Sequence, residues 1–205
     1  MKNKINYQRE LDKIIEKNKK DGIKPTLLLH ACCAPCSSYC LEYLSQHFDV
    51  TVFFYNPNIS AKEEYEYRYD EEKRLISLME YNNPVKLCES EYNPHDFFDR
   101  VKGLEKEPEG GKRCAECFKL RLEETAKKAK QLNVDYFTTT LTISPLKNAA
   151  LLNEIGMEFA KKYGVCWLPS DFKKKEGYKR SIELSDKFNL YRQNYCGCVF
   201  SKRDS

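Results

Sequence analysis

Short β-branched or apolar runs alternate along this chain with longer segments of helical period, and that alternation most narrows the possible folds. It is the pattern of a parallel sheet covered by helices. Residues 4–20 place Tyr7, Leu11, Ile14 and Ile15 on one helical face, and Gly22 closes that helix before a strand over Pro25–His30. The turn Ala31-Cys32-Cys33-Ala34-Pro35-Cys36 follows, with Ser37 and Ser38 as caps for the next helix. A second strand, Val50–Tyr55, ends in Asn56-Pro57-Asn58. The spacing then predicts a polar helix over 61–81, a strand over Val85–Cys88, a short helix over 94–101 and a flexible Glu109-Gly110-Gly111 connection. Cys114 and Cys117 open a helix to Leu132. A strand over Val134–Thr140, a helix over 146–163 and a strand over Val165–Leu168 complete the series.

Right-handed crossovers between such strands make an open, doubly wound, mainly parallel five-stranded α/β sheet. A ligand crevice is expected outside the carboxyl ends of the strands, where the Cys32-Cys33 turn lies. Residues 1–22 read as an N-terminal helical extension and 23–205 as one α/β domain that includes the C-terminal tail. No apolar run approaches the roughly 18 residues of a membrane span, and no basic-then-apolar leader opens the sequence, so a cytoplasmic protein is expected.

Net charge is +4, and its placement matters more than its size. Residues 171–205 hold nine Lys or Arg against five Asp or Glu, whereas residues 1–170 balance at 26 of each. A basic tail can meet phosphates, although on charge alone a solvated charged face is the simpler explanation. The candidates for phosphate contact are Lys173, Lys174, Lys175, Lys179, Arg180 and Arg192, with Phe172, Tyr178 or Tyr191 as rings for unstacked bases.

Ten cysteines in a chain of this length, without a leader, point to metal or redox chemistry rather than to a disulfide scaffold. Cys114-Ala115-Glu116-Cys117 has the spacing for two thiolates on one metal centre, at a helix start that stabilises negative sulfur. The adjacent Cys32-Cys33 pair is better suited to different corners of a polynuclear centre than to one ion. Four thiolates from Cys32, Cys33, Cys114 and Cys117 satisfy an iron–sulfur cluster, and four-cysteine zinc is the competing assignment. Cys36 is within reach of the same centre as an extra ligand. Cys40, Cys88 and Cys166 read as buried small hydrophobes. In the tail, Cys196-Gly197-Cys198 would close a strained, readily reduced disulfide, so a redox relay fits; a second metal-binding pair competes with it.

Six segments in order carry a resemblance. They are His30-Ala31-Cys32-Cys33-Ala34-Pro35-Cys36, Tyr55-Asn56-Pro57-Asn58, Lys112 to Cys117 with Arg121-Leu122, Thr138 to Pro145, Asp171 to Lys174, and Tyr191 to Cys198. Together they resemble the QueH-type epoxyqueuosine reductases over about residues 24–201. The resemblance implies reduction of the epoxide of epoxyqueuosine at the tRNA wobble position to the alkene. It implies a [4Fe–4S] cluster on Cys32, Cys33, Cys114 and Cys117, with an additional iron near Cys36. It also implies a Rossmann-like fold similar to the adenine-nucleotide hydrolase type, with Cys32-Cys33-Ala34-Pro35 standing where a phosphate loop would be. Tyr191, Tyr195, His30 and Asp171 are the available proton carriers, and an external electron donor is required. The rival readings are another iron–sulfur reductase, for example of a small-thiol disulfide, and a noncatalytic zinc protein that binds RNA.

Overall fold

The computed structural model describes residues 5–88 and 90–202. Its described elements run α1 (Tyr7–Lys20), β1 (Thr26–His30), α2 (Ala34–Leu44), β2 (Asp49–Phe53), α3 (Lys62–Leu78), β3 (Lys86–Cys88), α4 (His95–Arg100) and α5 (Lys112–Gln131). They continue as β4 (Tyr136–Thr139), α6 (Ala149–Tyr163), β5 (Cys166–Trp167) and α7 (Gly177–Lys187). The strands form one sheet in the order β3-β2-β1-β4-β5, and every pairing is parallel. After β1 the chain builds outward to β3, then returns to β4 on the other flank. The order reverses between β1 and β4, which puts a crevice at their carboxyl ends.

Successive strand residues face opposite sides of the sheet, so Leu27 and Leu29 enter one core while Leu28 enters the other. The first core takes Leu11 and Ile15 of α1, Leu41 and Leu44 of α2 and Leu75 of α3. The second takes Phe118 and Leu122 of α5 and Leu152, Ile155 and Phe159 of α6. The N-terminal helix is therefore built into the same core as β1. Among the described residues no helix is long and apolar enough to cross a membrane.

Several sequence expectations need correction. Ser37 and Ser38 do not cap α2. The helix starts at Ala34 with Pro35 in its first turn, and both hydroxyls donate back along it, to the Cys33 and Pro35 carbonyls. Cys40 is buried as expected, but Cys166 is exposed at the edge strand β5. Helix α6 begins at Ala149 rather than 146, because Asn148 Oδ1 caps the Ala150 and Leu151 N–H groups. Helix α7 was hidden in what reads as a basic tail. Phe172, offered as a stacking ring, is fully buried in the first core.

Candidate metal centre

The site is assembled where β1 ends. Cys32 and Cys33 follow His30 and Ala31, and Cys33 is the N-cap of α2, so Cys36 lies on the first helical turn three residues on. Residues three apart share a helix face, which swings Cys36 back towards Cys33. The ligand atoms of Cys32, Cys33 and Cys36 all lie within 4.8 Å of one another. Cys32 and Cys33 Sγ are 3.8 Å apart.

Thr140, the residue that follows β4, fixes this loop from beside it. The Cys32 N–H donates to Thr140 Oγ1 at 3.2 Å, and the same hydroxyl donates to Cys32 Sγ at 3.3 Å. On the other side, Asn56 Nδ2 donates to the Ala31 carbonyl at 2.8 Å. The three segments read in the sequence as separate motifs thus meet at one switch point. Thiol donors at Cys33 and Cys36, with Arg121 and Lys147 beyond, hold the Cys32 thiol well below its ordinary pKa. Beside Cys32, Cys33 is pushed up to about 12, and Cys36 is raised as well. A metal bound here would take the place of those protons, since metal binding requires the thiols as thiolates.

Cys114 and Cys117 stand outside this trio, on the first turns of α5. Cys114 Sγ accepts the Gly110 N–H at 3.2 Å. Cys117 is buried with Phe97, Val101 and Cys198 in a small apolar cluster, and burial pushes its thiol up to about 12 although Arg121 opposes the shift. Cys196 joins the two sets. It lines a cleft of about 320 Å³ with Cys32, Cys33 and Cys36, and a cavity of about 30 Å³ with Cys114, Cys117 and Cys198. Lys147, Leu146, Glu109 and Ser201 also border both spaces. All ten cysteines are free thiols.

Arg121 and Lys147 received no role from the sequence, and both border the sulfurs. Arg121 is 1% exposed. Its NH2 donates to Asn56 Oδ1 at 2.6 Å and its Nε lies 3.3 Å from His30 Nε2. His30 is buried between Arg121, the Tyr55 carbonyl and Thr139 Oγ1. Burial first, and the guanidinium second, push its pKa down to about 3, which leaves a neutral ring with a positioning task rather than a proton to give. The signal for Arg121 was present: a charge inside the buried α5 stripe of Cys117, Phe118, Leu122 and Thr125.

Two of the other proton candidates are also engaged. Asp171 pairs with Lys173 at 2.7 Å, and Tyr191 donates to Glu64. The tail turn carrying Cys196 is clamped: its carbonyl accepts from Arg68 NH1 at 3.3 Å and Asn58 Nδ2 at 3.4 Å. Arg68 also lies over the Tyr195 ring, 5.1 Å from its centroid. Of the basic residues, Lys175 pairs with Asp12 and Arg180 with Glu42 and Glu183. Arg192 donates to Ser185 and borders the cleft, while Lys174 and Lys179 are exposed.

A sequence profile described as epoxyqueuosine reductase QueH matches residues 27–204. An epoxyqueuosine reductase QueH of Staphylococcus epidermidis is 50% identical over 98% of this chain and 87% of its own. The chain belongs to the QueH family. Its likeness to the QueH of Streptococcus pyogenes is 46% over 98% of this chain and 79% of the relative. With the QueH of Thermotoga maritima it is 37%, over 86% and 90% respectively. In this QueH-family chain the matched region takes in every cysteine near the cleft.

Thiolate-only donors suit zinc and iron–sulfur centres. The observed convergence fits such a group: three sulfurs in mutual reach, the Cys32 thiol held well below its ordinary pKa, with buried Arg121 and half-buried Lys147 beside them.

Proposed function

We propose that this chain is an epoxyqueuosine reductase that converts the epoxide of epoxyqueuosine in tRNA to the alkene, using two electrons and two protons and releasing the oxygen as water. The carrying observation is the convergence of Cys32, Cys33 and Cys36 in the lining of a cleft that Cys196 also lines, in a chain of this family. On this reading Cys32, Cys33, Cys114 and Cys117 hold a [4Fe–4S] cluster and Cys36 binds an additional iron. When bound, such a group supplies electrons and a Lewis-acidic iron for C–O cleavage.

The chain's own residues do the rest. Thr140 and Asn56 hold the Cys32 loop in register, and His30 carries the Arg121 contact beneath it. A cleft of about 320 Å³ admits a base-sized group and excludes a stem, so the wobble base must leave its stack to enter. Lys174, Lys179 and Arg192 are the basic groups best placed for phosphates, because Lys173, Lys175 and Arg180 are committed to carboxylates. Cys196 and Cys198 act as a dithiol relay. Joining their sulfurs in a disulfide releases two electrons and two protons, and an outside two-electron donor restores the thiols. The position of Cys196 in the cleft, with Cys198 against Cys117, supports this assignment.

One observation favours a second reading. Thiolates on a single tetrahedral zinc at about 2.3 Å lie about 3.8 Å apart, the separation of Cys32 and Cys33 Sγ. Anaerobic purification decides between them. Four or more irons with inorganic sulfide, together with conversion of epoxyqueuosine-bearing tRNA seen by nucleoside mass spectrometry, are expected. Zinc without iron, or loaded protein inert on that tRNA, would overturn the proposal.

A further inference from the structure

Arg121 is among the largest side chains wholly removed from solvent, yet among the described residues no carboxylate pairs with it. Asn56 and His30 occupy NH2 and Nε, and NH1 has no partner. A buried guanidinium is unfavourable unless an anion answers it. The groups it faces are sulfurs from three parts of the chain: Cys117 one turn back on α5, Cys196 in the tail and Cys32 after β1. Arg121 borders the cleft with the cysteine trio.

Lys147 stands at the rim of the cleft and of the smaller cavity beside it. Burial works against its charge, but Cys196, Cys32 and Cys36 hold its pKa above the ordinary lysine value. Among the described lining residues of the two spaces the only carboxylate is Glu109. The surroundings of the sulfurs are therefore biased towards positive charge from two directions.

We propose that Arg121, with Lys147, is the fixed counter-charge of an anionic metal–thiolate centre, Arg121 NH1 donating to one of its sulfurs, and that the pair sets its reduction potential. This rests on the iron–sulfur reading above. A cluster held by thiolates gains negative charge on reduction. A nearby cation and an N–H donor to sulfur stabilise that reduced form and raise the potential. Arg121 is then a positioning residue that also ties α5 to the loops after β1 and β2. A purely structural tie through His30 and Asn56 would leave the potential unmoved.

The test is potentiometric titration of the anaerobic holoprotein, followed by visible absorption and electron paramagnetic resonance, with iron and sulfide counted in each sample. Arg121→Gln and Lys147→Gln are expected to lower the midpoint potential at unchanged iron content. Arg121→Lys, which keeps the charge, should stay nearer the wild type. Should Arg121→Gln fail to fold, Lys147→Gln at the rim carries the same sign. Iron-loaded variants with the wild-type midpoint overturn this inference alone. Wild-type protein holding zinc and no iron overturns it together with the reading beneath it.

Discussion

A Cβ on Gly197 would stand 2.9 Å from Ile59 Cγ1, so the tail crosses the loop after β2 at a separation that glycine allows. Gly197 also has φ +104°, in the region other residues avoid. Its carbonyl accepts the Ser60 N–H at 3.1 Å, and Ser60 Oγ accepts the Val199 N–H at 3.1 Å. This crossing decides where Cys196 and Cys198 sit.

Gly197→Ala should lift the turn off Ile59 and displace Cys196 from the cleft. A displacement near 1 Å can cost about 100-fold in rate. A loss of that order in kcat/KM is expected, with unfolding free energy changed by only about 1 kcal/mol. Steady-state kinetics beside urea unfolding would check both, and wild-type turnover would refute the clamp.

Asn153 is wholly buried and ties together the backbone around the end of β5. It donates to the Ala149 and Ser170 carbonyls and accepts from Trp167 Nε1 and the Ser170 N–H. Asn153→Ala orphans buried donors that water cannot reach. A loss of about 2–4 kcal/mol is expected from chemical denaturation.

Glu72 is fully buried, and its oxygens have no hydrogen-bond partner among the described residues, since the nearby Ser37 hydroxyl donates to the Cys33 carbonyl. Burial foremost, with charge at Cys32 and Glu71 adding, pushes its pKa up to about 8. The folded form thus holds a proton that the unfolded chain releases near pH 4.5. Stability from this residue is full below that pH and is lost as pH rises towards 8, by up to about 1.4 kcal/mol per unit. Glu72→Gln should flatten the stability profile over this window and be more stable than wild type at pH 8. Parallel denaturation series from pH 5 to 8 would show it, and identical slopes would contradict the assignment.

Lys174 and Lys179 are exposed, whereas Lys173 and Lys175 are ion-paired. Removing one lysine–phosphate interaction should reduce the slope of log affinity against log salt by about 0.7–0.9. Lys174→Ala with Lys179→Ala is expected to weaken tRNA binding and flatten that slope by about 1.5. Filter binding across a salt series measures it, and an unchanged slope would remove these two residues from the interface.

The layered architecture was legible because the strands state their own pattern. Leu27, Leu28 and Leu29 form a continuous apolar run because β1 is covered on both faces. The sulfur trio was legible in part: Cys36 follows Cys33 by three residues, but its arrival within 4.8 Å depends on α2 starting at Ala34, before the serines that resemble its cap. Helix α7 was missed because Lys175 and Glu176 precede it with positive φ and no side chain caps it. The docking of Cys196 was also beyond local reading. It is set by Arg68, Asn58 and Ile59, which are remote in sequence and touch mostly backbone.

The three clustered sulfurs and the strands that frame them are synthesised before the segment bearing Cys196, which completes the lining of the cleft. The sulfur trio is therefore complete in a nascent chain before Cys196 is made. Metal can then meet these thiols before the tail that carries Cys196 has docked beside them.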